Sequence, residues 1–369
     1  MSIISNIFKK TTSKLFTIGP VQMYKSTLRV RSKQLPYFRT NDFSNKIKKC
    51  DNLLKEFIGT KSSSKIIYLT CSGTGAMSAT ISNFISNKER VLIINSGNFG
   101  QRICEICDSL NIDFDQINVS YNQNLDLSIL NKHLHEKYKA VFVVGHETST
   151  GYLTDLAEIS AFCKKNNSLL IVDAITTFLC DQFQMDEIGI DIAIISSHKG
   201  LCISPGLAMA VINEKSINKV DRNGQSDFYF DYNKYVSNLS NYQTPYTPAI
   251  GIILELEDIL LKIKKCGLEN WLKEVEDKAI LFRNNLDSRV SIPKHNLSNA
   301  ITPILFKGNI AKHMYDVLAQ NYSYVTNPSG GEFAKNMLRI SHIGNLSRKD
   351  FLKLNKAISI ELNKLNKTK

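Results

Sequence analysis

The sequence predicts an α/β fold in which a mostly parallel sheet is flanked by helices, followed by a smaller C-terminal α+β unit. Three observations carry this. Between residues 66 and 212, short apolar runs alternate with amphipathic segments. The runs are nearly continuous in hydrophobic residues, the mark of strands buried on both faces. After residue 300 the order changes to strand, helix, strand, helix.

The strands are expected at Ile66–Thr70, Arg90–Ile94, Ala140–Val144, Ser168–Val172, Asp191–Ile195 and Leu207–Ile212. Helix-period segments lie between several of them, at Ala76–Ser86, Gln101–Leu110 and Asp155–Lys165. Strands separated by helices pair in parallel, because a crossover returns the chain to the same end of the sheet. Residues 213–250 are polar and aromatic and are expected to form a long loop around Asn241–Pro248. Gly251–Lys265 and Leu268–Arg283 then carry helical patterns. Ala300–Phe306 and Met337–Ser341 are expected strands, and helices are expected at Ile310–Gln320 and from about Ser347. No internal repeat or low-complexity linker interrupts the pattern.

Composition excludes several classes. No apolar run reaches the length of a membrane span. The start, Met1–Lys10, puts its lysines after a short apolar stretch, which is the reverse of a signal peptide, and is expected to be a terminal arm. The formal net charge is +12, but the lysines are scattered and no aromatic residues interleave with arginines, so a nucleic-acid partner is not expected. Of the eight cysteines, Cys71, Cys163, Cys180 and Cys202 sit in or beside apolar runs, as small hydrophobes do. Cys104 and Cys107 form a lone Cys-x-x-Cys with no second pair to complete a zinc site. A reduced, cytoplasmic chain without a metal is expected.

Ligands of such sheets bind beyond the carboxyl ends of the strands. Thr70, Asp173 and Lys199 fall at or just after such ends. After the first strand, Cys71–Met77 holds Ser72, Gly73, Thr74 and Gly75 and opens a helix. Glycines there let backbone approach an anion, and the helix start supplies N–H groups; an ordinary strand-to-helix turn has the same composition. No Gly-Lys-Ser/Thr follows, so it is not a P-loop. After the second strand, Phe99 stands among small residues, either to lie flat on an aromatic ring or to begin a helix as a core residue. Thr148, after Ala140–Val144, is placed to hydrogen-bond a ligand oxygen; neighbouring His146 has no partner in register and is expected to be structural. Asp173 could be a helix N-cap and Lys199 a surface lysine. Read together, a carboxylate and an amine at successive strand ends are what pyridoxal 5′-phosphate requires, an acid for its ring nitrogen and an amine for its aldehyde. Arg339 lies mid-strand in an apolar run, where it needs either a substrate carboxylate or an internal acid.

Ser72–Gly75, Glu147–Gly151, Val172–Ala174, Ser196–Lys199 and Leu338–Ile340 occur in one order and spacing. In that combination the chain resembles the class V aminotransferases of fold-type I, above all the alanine–glyoxylate, serine–pyruvate and 2-aminoethylphosphonate–pyruvate enzymes. The likeness runs from Thr17–Val21 to His342–Asn345. It implies that Lys199 carries pyridoxal 5′-phosphate and shuttles the proton, that Asp173 pairs with the ring nitrogen and that Phe99 stacks on the ring. Ser72, Gly73, Thr74, Gly75 and His198 would hold the phosphate, and Thr148 the ring oxygen. Thr247, and with it Thr244, would reach the neighbouring subunit's cofactor in a homodimer. Arg339 would take the substrate carboxylate. The chain departs from the family in having Ile18 for a usual Pro, Phe99 where some relatives carry Trp, His198 for Gln or Asn, and Thr244 where a tyrosine is common.

The resemblance implies a terminal arm over 1–16, a large cofactor-binding domain over 17–255 and a small domain over 256–369. It implies transfer of an amino group from alanine, serine or 2-aminoethylphosphonate to pyruvate or glyoxylate. Ser-His-Lys also resembles the cysteine desulfurases, but those need a loop thiolate, and Thr326–Met337 has no cysteine. The sequence also admits a lyase using the same cofactor, a catalytically inactive relative or a basic binding protein. Arg29, Arg31, Lys33 and Arg39 crowd one short segment, which is either a solvated surface stretch or a place from which Arg39 reaches a second anionic group on the donor.

Overall fold

The computed structural model describes residues 13–220 and 227–367. Its centre is a seven-stranded sheet built from β1 (Lys65–Leu69), β2 (Arg90–Asn95), β3 (Asp113–Asn118), β4 (Ala140–Val144), β5 (Leu169–Asp173), β6 (Ile192–Ser196) and β7 (Ala208–Ile212). The strands lie in the order β1-β7-β6-β5-β4-β2-β3. Neighbours pair in parallel except β7, which runs antiparallel to both β1 and β6. Both faces are covered, and the side chains divide by alternation. Ile66, Tyr68, Leu92 and Ile94 enter one core, while Ile67, Leu69, Val91 and Ile93 enter the other. Two apolar faces on one strand produce the unbroken hydrophobic runs seen in the sequence.

The expected strands fall within a residue or two of β1, β2, β4, β5, β6 and β7. The expected helices are Gly73–Phe84, Asn98–Ser109 and Leu156–Asn166, with Asp155 accepting the Ala157 N–H as the N-cap of the last. Cys104 and Cys107 are buried in the second of these, as core residues. Among the elements not expected, two bear on the large sheet. Strand β3 is an edge strand of sequence Asp-Phe-Asp-Gln-Ile-Asn, only partly buried, so it lacks the apolar signature of its neighbours. The loop expected over 213–250 contains a helix, Tyr232–Leu239, N-capped by Asp231. Tertiary packing makes it: Tyr232 is fully buried and its hydroxyl lies 2.9 Å from the Thr80 hydroxyl. Helices Lys25–Arg31 and Asn41–Ile58 precede the sheet.

The C-terminal unit is a four-stranded antiparallel sheet of β8 (Val290–Ser291), β9 (Ile301–Phe306), β10 (Asn327–Pro328) and β11 (Met337–Ser341), in the order β8-β9-β11-β10. Helices Ala311–Tyr322 and Arg348–Lys367 pack on it. The division placed at 255/256 falls inside the helix Ile250–Cys266, whose buried Ile253, Leu256, Ile259, Leu260 and Ile263 all join the core of the large sheet. Residues 1–12 of the expected arm lie outside the described residues; Lys14–Leu15 pairs with Tyr324–Val325, and Phe16 is fully buried in the C-terminal core. Phe16 makes edge contacts with Tyr324 and Phe351, its ring centroids 5.5 and 5.4 Å away. Among the described residues, no helix is long and apolar enough to cross a membrane.

Phe16 therefore joins the start of the chain to its last domain. Phe16→Ala is expected to cost about 3–5 kcal/mol of stability, read by urea unfolding; a loss under about 1 kcal/mol would show that the N-terminal segment is not part of that core.

Candidate active site

All the strands of the large sheet except β7 run the same way, so their carboxyl ends lie on one side of the molecule, and a cavity of about 230 Å³ opens there. Ser72, Gly73, Thr74, Phe99, Thr148, Asp173, His198 and Lys199 line it, supplied by the ends of β1, β2, β4, β5 and β6 and the segments that follow them. Lys199 sits in the connection that reverses β6 into β7. Cys202 N–H donates to the Lys199 carbonyl at 2.8 Å, and Ser197 N–H donates to the Leu207 carbonyl at 2.9 Å, so the connection is tied at both ends. The N-terminal segment closes over it. A Cβ added to Gly19 would stand 2.8 Å from Lys199 Cδ, so only glycine permits that approach.

Burial sets the charges. The Lys199 amine is pushed down to about 8, first by desolvation and then by Arg339 and Arg102, against the attraction of Asp173. Asp173 is pushed up to about 7 by desolvation and by Glu147, while the Ile175 N–H, 2.9 Å from its Oδ1, and Lys199 oppose the rise. The two groups thus approach neutrality together, as buried ionisable pairs do. His198 is lowered to about 4 by burial and by Lys199, so its ring is neutral; its Nδ1 lies 2.9 Å from the Ser196 hydroxyl. No helix begins at Asp173, so it is not an N-cap. His146, lowered to about 3 and fully inside, faces the same cavity as a neutral ring.

The helix Gly73–Phe84 points its N-terminus into the cavity. The Ser72 hydroxyl caps it by accepting from the Gly75 N–H. A Cβ on Gly73 would come within 2.3 Å of Ile175 Cδ1, which keeps this backbone open to an anion. Gly75 lies one turn in, against Cys71, and does not line the cavity. Sequence reasoning missed Arg102. Its guanidinium lies 4.7 Å over the Phe99 ring and donates to the Thr74 hydroxyl at 3.2 Å. The signal was present, because Arg102 follows Phe99 by three positions on one helix and so shares its face. Glu147 stands out in the sequence only as part of a motif. It is fully buried and accepts from the N–H groups of Phe99 and Gly100, at 2.9 and 3.2 Å, so it caps the helix that carries Phe99 and Arg102.

Arg339 lies beside the cavity on β11. It donates to the carbonyls of Thr148 at 3.0 Å and Pro328 at 2.6 Å, while its buried Nε has no partner. Neither of these is an acid, and Glu147 attracts the guanidinium without an ion-pair contact, so it is fixed in place with donor capacity to spare. The Thr148 hydroxyl is also buried without a partner. These orphaned groups, the open glycine backbone and the Asp173–Lys199 pair fit pyridoxal 5′-phosphate.

Besides Gly75, three further expected residues lie away from the cavity. Thr244 is buried and bonds the Tyr246 carbonyl at 2.7 Å; Thr247 is exposed; neither lines this cavity. Arg39 does not reach the cavity. It donates to the carbonyls of Thr244 and Pro245 and to Gln243, at 2.8, 3.1 and 3.2 Å, and stacks on Phe38.

The family model described as aminotransferase class-V matches residues 23–348. The chain is 28% identical to the soluble hydrogenase 42 kDa subunit of Anabaena cylindrica over 90% of this chain and 89% of that protein. It is 24% identical to the serine–glyoxylate aminotransferase of Arabidopsis thaliana over 92% and 87%. Its fold matches the crystal structure of alanine–glyoxylate aminotransferase from Nostoc sp. with a TM-score of 0.89, at 22% identity over 95% of each chain.

Asp173 attracts the Lys199 cation and so favours it. Asp173→Asn is therefore expected to lower the Lys199 amine further, below about 8. The pH dependence of chemical modification of Lys199 in cofactor-free protein, read by peptide mass spectrometry, measures it. A midpoint that stays in place or rises would refute the coupling.

Proposed function

The chain belongs to the class V aminotransferases and is a pyridoxal phosphate-dependent transaminase, and on that premise we propose that it moves the amino group of alanine, serine or 2-aminoethylphosphonate to a small 2-oxo acid, pyruvate or glyoxylate. The observation that carries this reading is a lysine amine lowered to about 8 beside a buried aspartate, at adjacent strand ends in one cavity. Lys199 would hold the cofactor's aldehyde carbon, Asp173 its ring nitrogen, Phe99 its ring face and Thr148 its phenolic oxygen. Ser72, Gly73, Thr74 and His198 would hold its phosphate, while the Gly75 N–H is spent on the Ser72 hydroxyl. When bound, the cofactor supplies an electron sink for the electrons left on the substrate's α-carbon.

The chain's own groups do the rest. Lys199 Nζ, with its lowered affinity for protons, takes the proton from the α-carbon and returns it later in the cycle. Asp173, ionised above about 7, favours a protonated partner at the ring nitrogen. Arg339 grips the substrate carboxylate and orients the α-carbon toward Lys199. A short acceptor suits a site in which Arg339 is the carboxylate anchor. Desulfurase chemistry has little support, because Cys202 is fully buried and Cys266 does not line the cavity.

A homodimer with shared sites is part of this reading. The exposed Thr247 and the loop that Arg39 holds at residues 243–245 suit a contribution to the neighbouring subunit's phosphate. Arg39 then acts by positioning that loop. All eight cysteines are free, which suits a cytoplasmic location.

Lys199→Ala is expected to abolish transamination and the visible absorbance that borohydride otherwise bleaches by fixing the cofactor to this residue. A wild-type protein that never acquires that absorbance would sink the proposal. Arg339→Gln is expected to raise the KM for alanine and pyruvate roughly tenfold or more, the worth of a charge-assisted contact, and a panel of alanine, serine and 2-aminoethylphosphonate identifies the donor. Mixed Lys199→Ala and Thr247→Ala subunits should regain part of the activity that each lacks alone, because one composite site in the mixed dimer is intact. No recovery in verified mixed dimers would place Thr247 outside the shared site.

A further inference from the structure

A second cavity, larger than the first at about 500 Å³, lies where the helices Ile250–Cys266 and Leu268–Asn284 meet the segment after β11. Its walls are mainly apolar and aromatic. Tyr24 and Trp271 pack with ring centroids 5.6 Å apart and planes tilted by 42°, and Val275 and Ile343 continue the surface. Three lysines, Lys262, Lys265 and Lys278, line it together with one carboxylate, Glu274. That carboxylate is shared, because Arg348 lies 3.0 Å from it.

Lys278 is the unusual member. Its residue is only 4% exposed, yet its ammonium makes one long hydrogen bond, 3.3 Å to the Gly344 carbonyl, and stands 3.8 Å from Glu274. An ammonium has three donors, and a buried cation with weak contacts loses hydration without full compensation. Desolvation accordingly lowers its pKa, with Glu274 opposing. The indole Nε1 of Trp271 is likewise buried without a partner. Lys262, at the rim, places its ammonium 4.7 Å over the Tyr24 ring. The combination is an aromatic slot with an under-coordinated cation in its wall and a surplus of positive charge around it.

We propose that this cavity is a second ligand site, distinct from the catalytic one, and that it takes a small carboxylic acid with an apolar or aromatic body. The carboxylate meets the Lys278 ammonium and completes its hydrogen bonds. The body lies against Tyr24 and Trp271. The neutral amide of the same acid lacks the charge that Lys278 requires.

Trp271 is the single tryptophan of the chain, so its emission reports on this cavity directly. Benzoate carries neither an amino nor an oxo group and serves as the probe. Titrating the holoenzyme with benzoate is expected to change Trp271 emission saturably, with one site per subunit. Benzamide should bind at least tenfold more weakly, and so should benzoate to Lys278→Met, whose fold is checked by circular dichroism. Arg339→Gln should leave the benzoate titration unchanged, which separates this site from the catalytic carboxylate clamp. Absence of a saturable change would overturn the proposal. So would equal affinity for benzoate and benzamide, a comparison that needs no variant, or loss of the titration in Arg339→Gln.

Discussion

An amine and a carboxyl withdrawn from water at adjacent strand ends govern the rest of this molecule. Lys199 and Asp173 would each be costly to bury as an isolated ion. Their attraction offsets only part of that cost, and desolvation moves both toward neutrality, so a proton lies within easy reach near physiological pH. Holding them there takes a rigid frame. The parallel pairing of β5 with β6 sets the spacing, the reversal into β7 presents the lysine, and a stiff apolar sheet behind them prevents relaxation toward solvent. A second buried carboxylate, Glu147, is tolerated close by because it is saturated with backbone N–H donors from the Phe99 helix and from Ser149. One buried acid is thus tuned for reactivity and its neighbour is used as a structural cap.

Most of this frame was legible in the sequence because its strands are buried on both faces. β5 and β6 are wholly apolar until their last residue, so the polar residue at the end of each run stands out. The elements that were not legible are those whose order comes from distant contacts. The edge strand β3 interleaves polar residues with a half-buried Phe114, and helix Tyr232–Leu239 depends on a tyrosine that fits beneath Gly73–Phe84. The site shows the same division. Lys199, Asp173, Phe99 and the glycine turn were found from position, because strand ends converge whatever the loops do. Arg102 was overlooked because an arginine in the first turns of an amphipathic helix has the same local pattern as a surface residue.

Arg39 shows how far charge alone can mislead. Four basic residues in a short segment suggested a grip on an anionic substrate. In the fold, the guanidinium spends its donors on the carbonyls of residues 244 and 245 and on Gln243. Backbone carbonyls are acceptors that no side-chain inventory reveals, and a planar five-donor group is well suited to gather several of them. The charge was legible, but its partner was not.

The chain closes its reactive lysine with residues from both ends. Gly19 packs on Lys199 from one side, and Arg339 stands by from the other, 140 positions further along. The start of the chain, through Phe16, in turn depends on Phe351. The parallel sheet holds the lysine, but the C-terminal unit is needed to finish the pocket around it. The finished pocket therefore needs both stretches of chain in place at once, and a chain cut short before Arg339 would keep its lysine while losing the clamp and the anchor of Phe16 together.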